Sequence, residues 1–304
     1  LRDVLAGRVV DGKRLPLVAG LFYEASGDRL RAQVEWAFRH PRGPRAELRE
    51  AAGAAGGHAV LVMPHGGYFL AGPVAALGAH WLTGLGRYEL VVVVGPNHTG
   101  VGAPVAVYPD GSWVTPLGEV VVDAEASRRL VELSGGVASL DVVGHLYEHS
   151  VEVVLPWLQA VSPGFRLVAV SVYRQDAETV EALAGALLSL LRGSPVPVAV
   201  VFSANLSSYL PHEEAVEKDR LLLDAVLGGG DVLRVVEEHE VPTCSPGVLA
   251  LASRLARELG QGLRLLGYAT SGDVSGEKSL VTGYASLAAG PFPAPGAGVE
   301  GGEG

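Results

Sequence analysis

From about residue 58 the chain repeats one pattern: a short β-branched apolar run, a polar or glycine-rich turn, then a stretch with helical spacing. Residues 59–63 read as a strand that ends at Pro64-His65-Gly66-Gly67, and 73–85 follow as a helix. Residues 89–94 form the next strand, apolar at nearly every position, as a strand covered on both faces must be. It ends at Gly95-Pro96-Asn97-His98. Further strands are predicted over 166–172, 197–202 and 263–269, and helices over 125–133, 151–161, 178–192, 213–227, 231–238 and 246–259. Strands alternating with long helices predict an α/β fold, a layered α/β/α arrangement with a mixed or mostly parallel central sheet.

Three regions depart from the alternation. Short strands over 105–108, 113–115 and 120–122 surround Pro109-Asp110-Gly111 and predict a hairpin extension. Residues 39–57 predict an exposed helix or linker. Residues 290–304, rich in glycine and proline, predict a loose tail. No repeat or linker divides the core, so residues 1–304 are expected to form a single domain.

Composition narrows the function classes. With 304 residues, 48% of them apolar, the chain can bury a large core, which excludes general disorder. Its net charge of −10 disfavours nucleic acid and anionic membrane as partners. No run of 18 apolar residues occurs and the N-terminal sequence lacks a secretory signal pattern, so a cytoplasmic location is expected. The single cysteine, Cys244, rules out an internal disulfide. No Gly-x-Gly-x-x-Gly follows the first strand and there is no P-loop lysine, so no nucleotide cofactor is expected.

The candidate chemistry rests on histidines. His65 and His98 each follow the C-terminal end of a predicted buried strand, the edge where open α/β sheets bind ligands. Such placement suits a metal ligand or an acid–base group, and equally a strand-end hydrogen bond. Glu148-His149-Ser150-Val151-Glu152 opens a helix: Ser150 can cap it, and Glu152, three residues from His149, can orient the imidazole. Cys244 immediately precedes a helix, where amides favour thiolate, yet a lone cysteine also serves as a small buried hydrophobe. His145 reads as an ordinary loop residue.

Six segments, in order, resemble the Memo family: residues 17–23, Pro64-His65-Gly66-Gly67-Tyr68, Gly95-Pro96-Asn97-His98-Thr99-Gly100, Thr115-Pro116-Leu117-Gly118, Glu148-His149-Ser150-Val151-Glu152 and residues 268–276. The resemblance spans about 16–288. It implies a fold similar to the class III extradiol ring-cleaving dioxygenases, which use non-haem iron, and metal ligands at His65, His98 and Cys244. It further implies a pocket beside His149 that involves Tyr68, Asn97, Glu148, Glu152, Asn205, Ser208 and Asp273. Prokaryotic members are grouped with a radical-SAM protein and an AMMECR-type protein, the expected partners.

One departure bears on activity. Where the family usually reads Ser-Ser-Asp-Leu-Ser-His-Tyr, this chain has Ser203-Ala204-Asn205-Leu206-Ser207-Ser208-Tyr209. A carboxylate and an imidazole are thereby replaced at Asn205 and Ser208, which leaves His149 as the acid–base candidate; His212 is a weaker substitute for the missing histidine. The expected function is a mononuclear transition-metal protein, with iron, copper or zinc on His65, His98 and Cys244 and redox chemistry on an unknown small molecule. A non-catalytic scaffold for a peptide or partner, and a metal-dependent hydrolase, are the alternatives.

Overall fold

A computed structural model describes residues 8–294. In chain order the first half comprises β1 (Val9–Val10), β2 (Lys13–Arg14), α1 (Gly27–Arg39), β3 (His58–Met63), α2 (Tyr68–Thr83), β4 (Leu90–Pro96), β5 (Val105–Val107), β6 (Ser112–Thr115), β7 (Gly118–Val121), α3 (Ala124–Leu133), β8 (Ser139–Leu140), α4 (Val143–Leu146) and α5 (Ser150–Val161). The second half comprises β9 (Arg166–Val172), α6 (Ala177–Gly193), β10 (Val198–Ser203), α7 (His212–Gly228), α8 (Val232–Glu238), α9 (Pro246–Glu258), β11 (Arg264–Thr270), α10 (Ser271–Ser275) and β12 (Gly283–Phe292).

The main sheet has the order β11-β12-β3-β10-β4-β9-β5-β8. Its four central strands are parallel, and β11, β12 and β5 add antiparallel pairings on either side. Register aligns Val60, Val200, Val92 and Val168 in one row and Leu61, Val201, Val93 and Ala169 in the next. Because successive residues point to opposite faces, the first row packs under Leu187, Leu222 and Leu249 from α6, α7 and α9. The second packs under Phe38, Ala75 and Trp157 from α1, α2 and α5. The result is three layers, helices covering both faces of a mostly parallel sheet. It also means that β3, β4 and β10 release their C-terminal loops at the same edge.

The structure corrects several local expectations. Helix α2 begins at Tyr68, right after the His65 loop, and takes Pro73 into its interior. Of the two expectations for 39–57, the linker fits: residues 40–57 hold no helix, and the amphipathic helix lies before them, in α1, which ends at Arg39 and buries Leu30, Val34, Ala37 and Phe38. The expected hairpin around Pro109-Asp110-Gly111 does not form. Instead β5 joins the main sheet beside β9, and β6 pairs with β7 in a separate small sheet, β1-β2-β6-β7. Gly290, Pro291 and Phe292 belong to β12, whose Phe292 pairs with His58, so the tail does not start there. Residues 295–304 of that expected tail lie outside the described residues.

The end of β4 meets the start of α5 at one tight contact. A Cβ on Gly95 would lie 2.8 Å from Ser150 Cβ and closer still to Ser150 Oγ. Ser150 cannot yield, because its hydroxyl donates to Pro96 O at 2.8 Å. Gly95→Ala is therefore expected to cost about 1–3 kcal/mol of stability by overpacking, measurable as a lower urea midpoint; an unchanged midpoint would contradict this packing.

Candidate metal centre

His65 follows β3 and is buried. Its backbone N–H donates to Asn205 Oδ1 at 3.0 Å, and its Nδ1 lies 3.0 Å from Ser203 Oγ. The single Ser203 hydroxyl proton goes to Ser150 O at 2.6 Å. Ser203 Oγ must then accept from His65 Nδ1–H, so Nε2 is the nitrogen that faces the cysteine, donating to the thiolate when the ring is protonated and offering a lone pair when it is neutral. That Nε2 points at Cys244 Sγ, 3.5 Å away.

His98 follows β4 and is oriented in the same sense by a carboxylate. Its Nδ1 lies 2.9 Å from Glu148 Oε1, an acceptor only, so Nδ1 carries the proton and Nε2 turns toward the cysteine. Glu148 is buried, and besides the imidazole it accepts the backbone N–H groups of His98, His149 and Ser150. Burial disfavours its charge, but the bonds from His98 outweigh this and lower its pKa to about 2. With His98, Glu148 and His149 also mutually close, Glu148 could pass for a ligand, yet its oxygens are already occupied by four donors. It orients His98 instead.

Cys244 sits in the loop that enters α9, half-buried. Gln175 clamps that loop: its Nε2 donates to Cys244 O at 2.8 Å, while its Oε1 accepts from Gly247 N and Val248 N at the helix start. Burial opposes the thiolate, but charge on His65 and hydrogen bonds from His65, His98 and Ser245 prevail and bring the thiol pKa down to about 5. His98 is the converse case. Burial opposes its charge, hydrogen bonds to Cys244 and Glu148 prevail, and its pKa rises to about 10.

The ligand atoms of His65, His98 and Cys244 all lie within 4.8 Å of one another. Two imidazoles with fixed tautomers and one thiolate, arranged so that their lone pairs converge, fit a single transition-metal ion. His149, at the N-cap of α5, faces the same space. Its ring stacks on His98 at 4.7 Å and its Nδ1 lies 3.5 Å from Glu148 Oε1. Burial and the neighbouring histidines lower its pKa to about 4, so it is neutral at physiological pH.

A cleft of about 590 Å³ opens over these groups, and Asn205 and Ser208 line it. The other expected pocket residues do not. Tyr68 is buried beneath it, its hydroxyl donating to Val153 O at 2.7 Å. Asn97 is consumed by its own turn: its Oδ1 accepts from Thr99 and Gly100, and its Nδ2 donates to Val101 O. Asp273 caps α10 and pairs with Arg42 on the surface. His212 is 2.9 Å from Thr270 Oγ1, outside the cleft lining, and His145 is buried in α4 against Ala106 O rather than in a loop.

Glu152 is the largest correction. It does not orient His149, a task that falls to Glu148, and Ser150 is not the cap. Glu152 is instead fully buried with Arg14, 2.8 Å away, and accepts from Leu17 N, Val18 N and Tyr23 Oη. Arg14, a residue that the sequence did not single out, also donates to the carbonyls of His145 and Glu148 and lies over the Trp113 ring at 4.0 Å. It thus ties the small sheet to the segment that carries Glu148 and His149.

The family profile described as Memo-like protein matches residues 14–288. The chain belongs to the Memo family. Among its relatives, the MEMO1 family protein of Sulfolobus acidocaldarius is 40% identical over 279 residues, covering 90% of this chain and 98% of that one. A MEMO1 family protein of Metallosphaera sedula is 37% identical over 275 residues, covering 90% and 97%. Among solved structures, the uncharacterized protein JW3007 from Escherichia coli K12 superposes with a TM-score of 0.52 at 15% identity, covering 77% of this chain and all (100%) of that one. At that identity the likeness speaks to the layered fold. No helix among the described residues of this Memo family chain is long and apolar enough to cross a membrane.

Proposed function

We propose that this Memo family protein holds one transition-metal ion on His65 Nε2, His98 Nε2 and Cys244 Sγ and uses it on a small molecule bound in the cleft. One observation carries the proposal: Ser203 and Glu148 occupy the Nδ1 protons of both imidazoles, so both Nε2 atoms converge on the thiolate. Iron, copper and zinc all accept such a donor set, and the bound ion would supply Lewis-acid or redox chemistry.

The chain's own groups supply the rest. His149, neutral and facing the cleft, can take a proton from a ligand hydroxyl, and Glu148 beside its Nδ1 stabilises the imidazolium that results. Asn205 spends its side-chain oxygen on holding the His65 loop and Ser208 does not titrate near neutrality, so neither supplies a second acid–base group.

Metal uptake should release protons in a pattern fixed by these groups. In the metal-free protein between pH about 5 and about 10, Cys244 is already thiolate and His98 still carries its extra proton. Ligation requires neutral His98, so zinc binding is expected to release that proton across this window. Below about 5 the thiol proton must leave as well, and above about 10 the release from His98 vanishes. Calorimetry in buffers of different ionisation enthalpy, with elemental analysis for one ion per chain, makes the test. No zinc uptake, or uptake without proton release at neutral pH, would contradict the proposed ligand set.

A further inference from the structure

The cleft above the proposed centre has an unusual wall. Apart from the three histidines and Cys244, none of the described residues that line it is ionisable near neutral pH. The wall consists of the rings of Phe22, Tyr209 and Tyr284 and the neutral polar groups of Asn205, Ser208 and Thr243. No lysine or arginine among these described residues is present to receive a carboxylate or phosphate. An anionic group pressed against such a wall loses its water and gains no counter-charge, which costs affinity steeply, whereas amides, hydroxyls and flat apolar bodies find partners.

Tyr209 adds a second, independent sign. Its φ is +60°, in the left-handed region that aromatic residues rarely adopt. The flanking chain imposes this conformation: Ser208 N donates to Pro242 O at 2.9 Å, and Leu210 bridges to Val281 on the other side. The ring is consequently turned outward, 81% exposed, at a position that still lines the cleft. A strained backbone that holds an unpacked aromatic ring at a cleft mouth is the kind of local cost found at ligand sites.

We propose that the cleft takes a flat, uncharged organic ligand, and that Tyr209 and the wall around the centre, which has no lysine or arginine among its described residues, set its specificity. This rests on the reading that the cleft over His65, His98 and Cys244 is the ligand site. Tyr209 covers the outer face of the ligand, while Asn205, Ser208 and Thr243 can meet its hydroxyl, carbonyl or amide groups.

The test uses the zinc-loaded protein and two probes with the same metal-binding hydroxamate head, para-carbamoyl-benzohydroxamate and para-carboxy-benzohydroxamate. Their heads are identical, and the Ser208→Lys and Tyr209 variants separate the wall's contribution from the charge of the probe itself. The amide is expected to bind at least about tenfold more tightly than the carboxylate. Tyr209→Ala should weaken the amide about five- to tenfold while Tyr209→Phe keeps it, and Ser208→Lys should cancel or reverse the preference. Equal or tighter binding of the carboxylate to the unmodified chain, no binding of either probe to zinc-loaded protein, or an unchanged Tyr209→Ala variant would each overturn the proposal. Zinc content, measured separately, distinguishes failure of the metal centre: a chain that takes up no zinc refutes that reading, and Tyr209 is then judged on the metal-free protein, where Tyr209→Ala must still weaken the amide probe.

Discussion

Replacing Cys244 with serine is expected to lower the affinity for Co(II) or Zn(II) by at least about a hundredfold. The serine hydroxyl keeps its proton at neutral pH, whereas the thiol is ionised from about pH 5 upward, so the substitution removes the only anionic donor among the three. His65→Ala should match it, because it removes one of the two imidazole nitrogens that face the thiolate. Glu148→Gln should fall between these variants and the unmodified chain, at about ten- to a hundredfold, since the amide still accepts from His98 Nδ1 but no longer raises the basicity of the ring. Competition against a chromophoric chelator measures all three. If Cys244→Ser bound within about threefold of the unmodified chain, the thiolate would not be a ligand.

The largest effect on stability is expected at Arg14. Its guanidinium is buried, paired with Glu152, and bonded to the carbonyls of His145 and Glu148. Arg14→Met leaves the Glu152 carboxylate buried without a cation and two carbonyls without donors. Removing one partner of such a pair costs about 3–5 kcal/mol, against about 0–1 kcal/mol for exposed pairs such as Arg234–Glu238. Glu152→Gln should cost less than Arg14→Met, because the amide oxygen can still accept from Tyr23 and the backbone of residues 17 and 18. Urea denaturation with both variants reads this out. A loss below about 1 kcal/mol for Arg14→Met would show that the pair does not tie the small sheet to the site. Because Arg14 holds Glu148 O, its loss should also weaken zinc binding about tenfold.

The central strands were legible because both of their faces are covered, so the apolar runs are nearly continuous and the loops that follow them stand out. This is why the loops that carry His65 and His98 stand out in the sequence. Other elements gave weaker signals. The α1 segment is mostly polar, and only the narrow stripe Leu30, Val34, Ala37 and Phe38 marks its buried side. The β12 strand is rich in alanine and glycine, with none of the β-branched residues that usually mark strands; its place is set by pairing with β3 and β11.

Within the site, His65 and His98 lie in short motifs, and so do Ser203 and Glu148, but nothing local in the sequence says which histidine each of them orients. Gln175 has no periodic or motif signature, and only the fold shows that it fixes the Cys244 loop. Glu152 was read against His149 because the two are neighbours on one helical turn. Its actual partner, Arg14, stands 138 residues away in sequence, where no local pattern could reveal it. Asn205 and Ser208 were read as lost chemistry. The structure adds that Asn205 still performs a task, the hydrogen bond that sets the His65 backbone.

The most direct test of the account is X-ray absorption on anaerobically purified protein loaded with one equivalent of Zn(II) or Co(II). The expected first coordination shell has one sulfur at about 2.3 Å and two imidazole nitrogens at about 2.0–2.1 Å, with the sulfur contribution absent in Cys244→Ser. A shell of nitrogen and oxygen alone in the unmodified chain, or a sulfur signal that survives Cys244→Ser, would contradict a centre built on His65, His98 and Cys244.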